Sequence, residues 1–184
     1  ALPAERLLPP LRAPPPARFR VAVSIASGFS EVGPEGERME RELHEHCERE
    51  QLLLVGPNCQ GVVVPHSRLQ MTFSPMYDSM VPGKVAVLSQ SGAMGAYIAN
   101  RLMQRGAGLS PFVSSGNEAV VSATDYIEAL NDDPSTRVIV CYMEKIRDGR
   151  AFARAVRKLH PSKRLIAVKT GRSPAGVRAI SSHT

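Results

Sequence analysis

The chain has 184 residues, enough for one domain or one domain plus part of another, and 43% are hydrophobic, enough for a core. Aromatic residues make up only 5% and Trp is absent, so an aliphatic core is expected. The formal charge is +6, no apolar run approaches the roughly 20 residues of a membrane span, and no signal-type apolar stretch opens the chain, so no membrane partner is expected.

The charge is unevenly spread. From Glu31 to Glu50 eight acidic residues stand against three basic ones, a net of −5. From Arg137 to Thr184 twelve basic residues stand against two acidic ones, a net of +10. A basic face attracts nucleic acid or a nucleotide-like small molecule. No nucleic-acid motif and no aromatic stacking set accompanies it, so a solvated surface is the plainer account and no nucleic-acid partner is expected. Cys47, Cys59 and Cys141 are widely spaced and form no metal motif. They are expected to be reduced thiols of a cytoplasmic protein.

Residues 1–19 are rich in Pro, Ala and Arg, and Pro14-Pro15-Pro16 ends any helix begun at Pro3-Ala4-Glu5. Arg20 to Ala26 reads as a buried strand, closed by the turn Ser27-Gly28-Phe29-Ser30. In open α/β sheets ligands sit beyond the C-terminal strand ends, which makes Ala26, Ser27 and Gly28 candidates by position. Pro34 to about Gln51 reads as a charged helix with one apolar stripe, Met39, Leu43 and Cys47. His44 and His46 fall on different faces of it, against a shared metal site. Leu52 to Val55 is the next strand, ending in Gly56-Pro57-Asn58-Cys59-Gln60-Gly61. Val62-Val63-Val64 continues as strand or linker, and a domain boundary is placed here, between residues 1–61 and 62–184. Residues 65–83 show no clear period and are expected to form a long loop.

Lys84 to Gly95 is the stretch around which the rest is organised. Val85 to Leu88 is short and apolar, suited to a buried strand. Ser89-Gln90-Ser91-Gly92 is a small polar turn. A helix follows from Ala93 to about Arg105, with Met94, Ile98, Leu102 and Met103 as its apolar positions. The first N–H groups of a helix lack internal partners and sit at the positive end of its dipole, so this turn suits an anion. Ser89 and Ser91 add hydroxyl donors, and Gly92 permits close approach. The same turn also fits a plain N-cap that binds nothing.

Leu109 to Val113 is a further strand, closed by Ser114-Ser115-Gly116-Asn117. A helix from about Ser122 to Leu130 stops at Asp132-Asp133-Pro134. Val138 to Met143 is a β-branched strand with Glu144 directly beyond it; that carboxylate also fits a helix start or an ion pair with Lys145 or Arg147. A basic helix from Asp148 to Leu159 and a strand from Arg164 to Val168 complete the pattern. Strand and helix alternate, which calls for a doubly wound parallel sheet. Its crossovers would bring the serine turn, Asn117 and Glu144 to one cleft.

These pieces resemble the NDP-forming acyl-CoA synthetases, which include ADP-forming acetyl-CoA synthetase and the α subunit of succinyl-CoA synthetase. The likeness is carried by Ser27-Gly28-Phe29-Ser30-Glu31, Gly56-Pro57-Asn58-Cys59-Gln60-Gly61, Ser89-Gln90-Ser91-Gly92-Ala93 and Ser115-Gly116-Asn117. It continues through Asp133-Pro134, Glu144, Lys169-Thr170-Gly171-Arg172-Ser173 and Ser182-His183-Thr184, in order and in spacing.

The resemblance implies a flavodoxin-like doubly wound parallel sheet over 62–184, preceded by the C-terminal part of a Rossmann-type CoA-binding domain over 1–61. It implies a ligase that interconverts acyl-CoA, ADP and phosphate with a carboxylic acid, CoA and ATP. His183 would carry the phosphoryl group, Glu144 would orient it, and Ser89, Ser91 and Gly92 would hold the phosphate. Ala26, Ser27 and Asn58 would contact CoA. Magnesium would come with ATP or ADP at a nucleotide site mainly outside this chain, in an ATP-grasp domain or a β-type subunit. No metal site is expected in the chain itself.

The resemblance further implies a fragment, begun inside the CoA domain, ended just after His183 and inactive alone. A truncated sheet would leave an edge able to pair with another copy as a homo-oligomer. Many members of the family carry an aspartate near the position of Val120, whose side chain cannot supply that charge. That departure leaves a second function open, a ligand-sensing regulatory module of a protein acetyltransferase that binds acyl-CoA without turnover.

Overall fold

A computed structural model of the chain describes residues 4–7 and 19–171. β1 (Val21–Val23) and β2 (Leu53–Val55) form a two-stranded parallel sheet, joined through α1 (Pro34–Arg49). Pro34 suits the first helical position, where its missing N–H would have no helical partner anyway. The apolar stripe of α1 is buried: Leu43 and Cys47 are fully covered, packed with Phe29 and Leu54, and Met39 is partly covered. The strand expected over Arg20–Ala26 is paired only at Val21–Val23. Beyond it Ser24 N–H still donates to Val55 O at 2.9 Å, and the chain then turns away.

A six-stranded sheet is built from β3 (Gly61–Val64), β4 (Leu69–Thr72), β5 (Pro82–Ser89), β6 (Leu109–Ser114), β7 (Val138–Met143) and β8 (Arg164–Lys169), in the order β4-β3-β6-β5-β7-β8. β6, β5, β7 and β8 run parallel, whereas β3 is antiparallel to both of its neighbours. Residues 65–83 are therefore not a long loop. They hold β4, two single-turn helices and the start of β5. At the hairpin Gly61 has φ +103°, and a Cβ there would lie 1.9 Å from Met71 O. Only glycine lets the two backbones approach so closely.

Helices cover both faces of the sheet. α2 (Gly92–Gln104) packs Ala96 and Ala99 against Val87, Leu109 and Phe112. α3 (Ala123–Asp132) and α4 (Gly149–Arg157) lie on the other face, with Ile127, Leu130 and Ala155 against Leu88, Ile139 and Cys141. The alternation along β5, with Ala86 and Leu88 on one face and Val87 on the other, follows from the two-residue strand period. Val55 and Cys59 join the α3/α4 side, so the small sheet shares a core with the large one.

The core is not purely aliphatic. Phe29, Tyr77 and Phe112 are fully buried, and the Tyr77 and Phe112 rings sit 4.6 Å apart at a tilt of 32°. Few aromatics are present, but these large apolar rings bury the most area per residue. Cys47, Cys59 and Cys141 are free and buried, and burial pushes the first two thiols up to about 11 and the third to about 12. Among the described residues no helix is long and apolar enough to cross a membrane.

Candidate functional site

β5 and β7 are neighbours, yet the helices that follow them go to opposite faces of the sheet. The connections after the two strands diverge and leave a crevice at their C-terminal ends, the position where open α/β sheets bind ligands. A cleft of about 590 Å³ opens there. One wall is the turn Gln90–Ala93 and the pair Glu144–Lys145; facing it are Ser27, Ser30, Glu31 and Asn58, with Asn117 between.

The first wall is a strand end leading into a helix start. Ser91 is the N-cap of α2, and its Oγ accepts from Met94 N–H at 3.4 Å. The remaining first-turn amides have no helical acceptor, and Gly92 brings that backbone to the cleft surface. Ser89 is buried beneath the turn, where its Oγ donates to Ser91 O at 2.5 Å. Gly95 makes this fit possible, since a Cβ there would lie 2.7 Å from Ser89 Cβ.

The facing wall is tied by side chains. Asn58 N–H donates to Ala26 O at 2.8 Å, and Asn58 Nδ2 donates to Asn117 Oδ1 at 3.3 Å. Asn117 Nδ2 donates to Glu31 Oε2 at 2.5 Å, Glu40 Oε2 at 2.8 Å and Ser30 Oγ at 3.3 Å. Burial works to raise the Glu31 carboxyl, but the bonds from Asn117 and from Gly28 N–H outweigh it and hold it below the usual carboxylate range. Glu118 is the opposite case. It is 3% exposed, and burial raises its carboxyl despite the 2.7 Å bond from Ser115 Oγ and the nearby Arg147.

Of the residues singled out in the sequence, Ser27, Asn58, Ser91, Gly92, Asn117 and Glu144 come together as lining of the cleft. Ala26 and Ser89 are buried behind it. His183 lies outside the described residues. Val120 packs beside Phe29 and Leu43, and the carboxylate nearest it in sequence is the buried Glu118. The cleft also contains Glu31, Gln60, Phe73 and Gln90, to which the sequence assigned no role, and Lys145, named there only as an ion-pair partner for Glu144. Glu31, Gln60 and Gln90 already stood inside the family-like motifs; Phe73 fell in the stretch expected to be loop. Among the described residues no group of three or more His, Cys, Asp or Glu is placed to hold a metal ion.

Residues 82–184 match the family described as "Succinyl-CoA ligase like flavodoxin domain", more than half of the chain. The chain belongs to this family. It is 39% identical over 165 residues to the α subunit of acetate–CoA ligase [ADP-forming] I of Pyrococcus furiosus, covering 90% of this chain and 35% of that subunit. It is 42% identical over 163 residues to acetate–CoA ligase [ADP-forming] I of Archaeoglobus fulgidus, covering 89% of this chain and 24% of that protein. The chain thus spans about a third or less of the length of these relatives.

The flavodoxin-like fold is matched by a solved structure of dinucleotide forming acetyl-coenzyme A synthetase 1 of Ca. Korarchaeum cryptofilum in complex with phosphate and ADP. The TM-score is 0.88 at 34% identity, covering 99% of this chain and 39% of that one.

Proposed function

We propose that this chain is part of an NDP-forming acyl-CoA synthetase that interconverts acyl-CoA, ADP and phosphate with a carboxylic acid, CoA and ATP. The observation that carries this is the cleft, in which the start of α2 at Ser91–Gly92 and the carboxylate-bearing turn at Glu144 line one crevice. That pairing suits a phosphorylated imidazole. A nucleophilic histidine needs one ring nitrogen free and the other held by an acceptor. Glu144 supplies the acceptor, and His183 is the ring we assign to it.

Once phosphorylated, the histidine needs donors for the phosphate oxygens. The first-turn amides of α2 and the Ser91 hydroxyl provide them already in place, so little reorganisation accompanies transfer. Ser89 acts one step behind, through its bond to Ser91 O. Residues 1–61 would supply part of a Rossmann-type CoA domain, with Ala26, Ser27 and Asn58 forming the CoA-facing turns. Residues 62–184 would supply the flavodoxin-like domain. Magnesium and the adenine nucleotide would bind to an ATP-grasp domain or a β-type subunit, the partner of this chain in the cytoplasm. A homo-oligomer would form through the sheet edges.

The test joins the chain to its nucleotide-binding portion and adds labelled ATP with magnesium. Acid-labile, base-stable phosphate is expected on the wild type and none on His183→Ala. A folded, ATP-binding wild type that takes no label sinks the catalytic assignment, and a ligand-sensing module becomes the better account.

A further inference from the structure

Gln90 sits where the two connections of the crevice part. Its own N–H donates to Tyr142 O at 3.1 Å, one step past the β5–β7 ladder. Its side chain then reaches the segment that follows β7. Oε1 accepts from Glu144 N–H at 2.7 Å and from Lys145 N–H at 2.9 Å, and Nε2 donates to Lys145 O at 2.8 Å. One carboxamide therefore serves three backbone groups of two consecutive residues. From β8, Lys169 Nζ donates to Glu144 O at 2.8 Å. The Glu144–Lys145 backbone is gripped from both neighbouring strands.

A plain packing role does not require this arrangement. Gln90 is only 8% exposed, and a buried amide of this kind is tolerated only when its donors and acceptors are met. Here three of them are met by a segment whose carboxylate lines the cleft, and the Glu118 carboxylate takes a further bond from the amide. Ser91, the next residue, caps α2 on the other side. The two halves of the proposed phosphate site are thus tied together by this side chain as well as by the β5–β7 ladder.

We propose that Gln90 is a positioning residue, which fixes the Glu144 carboxylate against the start of α2 by clamping the Glu144–Lys145 backbone. Its catalytic consequence rests on the phosphohistidine role proposed above. Gln90 touches no reacting atom in this scheme; it sets the distance between Glu144 and the Ser91–Gly92 turn. Misplacement of a positioned group by about 1 Å can cost about 100-fold in rate.

The test uses the full-length protein carrying Gln90→Met, which keeps the volume and removes the polar atoms, and Gln90→Asn, which keeps the amide but falls short of Lys145. Two quantities are read. Hydrogen exchange of the peptide containing Glu144 and Lys145 reports the clamp directly. The rate of phosphoryl labelling, with its ATP dependence, reports the consequence. Exchange at that peptide should quicken while the core strands keep their protection. The maximal labelling rate should fall about 10–100-fold with the KM for ATP unchanged.

Unaltered exchange overturns the assignment, and so does a normal labelling rate in a variant that has lost the protection. If Gln90→Met does not fold, Gln90→Asn decides by the same two readings. A wild type that takes no label overturns the phosphohistidine role and the catalytic part of this assignment together. Slow or fast exchange in the variants still decides whether the clamp exists.

Discussion

The wall of the cleft formed by Gln90–Ala93 and Glu144–Lys145 grows out of the ends of β5 and β7, whereas the facing wall, Ser27–Glu31, hangs on side-chain bonds to Asn117. The first inherits its geometry from a parallel ladder that is paired in register from Val85–Val138 to Ser89–Tyr142. Backbone bonds of that kind do not change over the ordinary pH range. The second depends on Glu31 and Glu40, two carboxylates converging on one amide. Its geometry therefore responds to protonation of Glu31, whose carboxyl those bonds hold below the usual range. One wall is thus held by backbone pairing and the other by side chains.

The largest effect is expected at Gly116, which packs against the Pro57–Asn58 turn. Gly116 has φ +60°, and a Cβ there would lie 2.2 Å from Pro57 O and 2.4 Å from Asn58 O. Both neighbours are backbone, which cannot rotate aside. Gly116→Ala must push the Pro57–Asn58 turn off the end of β6, and we expect a loss of about 4 kcal/mol or more in urea unfolding. A loss below about 1 kcal/mol would mean that the two turns slide past each other freely. The contrast between a fixed and an adjustable wall would then lose its anchor.

Asn117→Leu tests the adjustable wall alone. It removes the donor shared by Glu31, Glu40 and Ser30 and leaves two carboxylates close together without it. Loss of a bond to a charged, part-buried group costs about 1.5–3 kcal/mol. The variant should be destabilised by about that much in the same unfolding measurement. Hydrogen exchange should quicken at Ser27–Glu31 and stay unchanged at Gln90–Ala93. Equal quickening on both sides would show that the walls are not separately held.

Much of the fixed wall was legible in the sequence. The apolar run Val85–Leu88, the small turn and the helical spacing after Ala93 mark β5 and α2, and Met143 ends an apolar run that leaves Glu144 just outside β7. These signals are local, within one strand or one helical turn. The positions of Ser27 and Asn58 in the adjustable wall were legible, but the bonds that hold it were not, because Asn117 meets Glu31 and Glu40 across gaps of 86 and 77 residues. No period or propensity reaches that far.

β4 escaped for a different reason. Leu69 and Met71 point outward from an edge strand and are 43% and 39% exposed, so no core-facing period marks them. The same limit hid the clamp made by Gln90, whose backbone partners on Glu144 and Lys145 lie 54 and 55 residues away and leave no trace in residue type.

Acid is expected to loosen the adjustable wall, by a smaller amount than either substitution. The folded Glu31 carboxyl lies below its ordinary value, because the bonds from Asn117 and Gly28 outweigh burial. A depressed carboxyl adds stability above its unfolded pKa, and that contribution is lost as pH falls through the folded value. Glu118 works the other way: burial raises it, so its contribution is full below the ordinary carboxylate range and is lost as pH rises through its folded value. Glu31→Gln keeps the side chain's shape and removes its titration. Urea midpoints between about pH 3 and pH 7, a range spanning the ordinary carboxylate pKa, should fall less steeply toward acid in Glu31→Gln than in the wild type. The descending limb above the carboxylate range, set by Glu118, should be common to both. An acid limb of equal slope in the two proteins would move the pH sensitivity to other carboxylates and leave the Ser27–Glu31 wall as fixed as the one it faces.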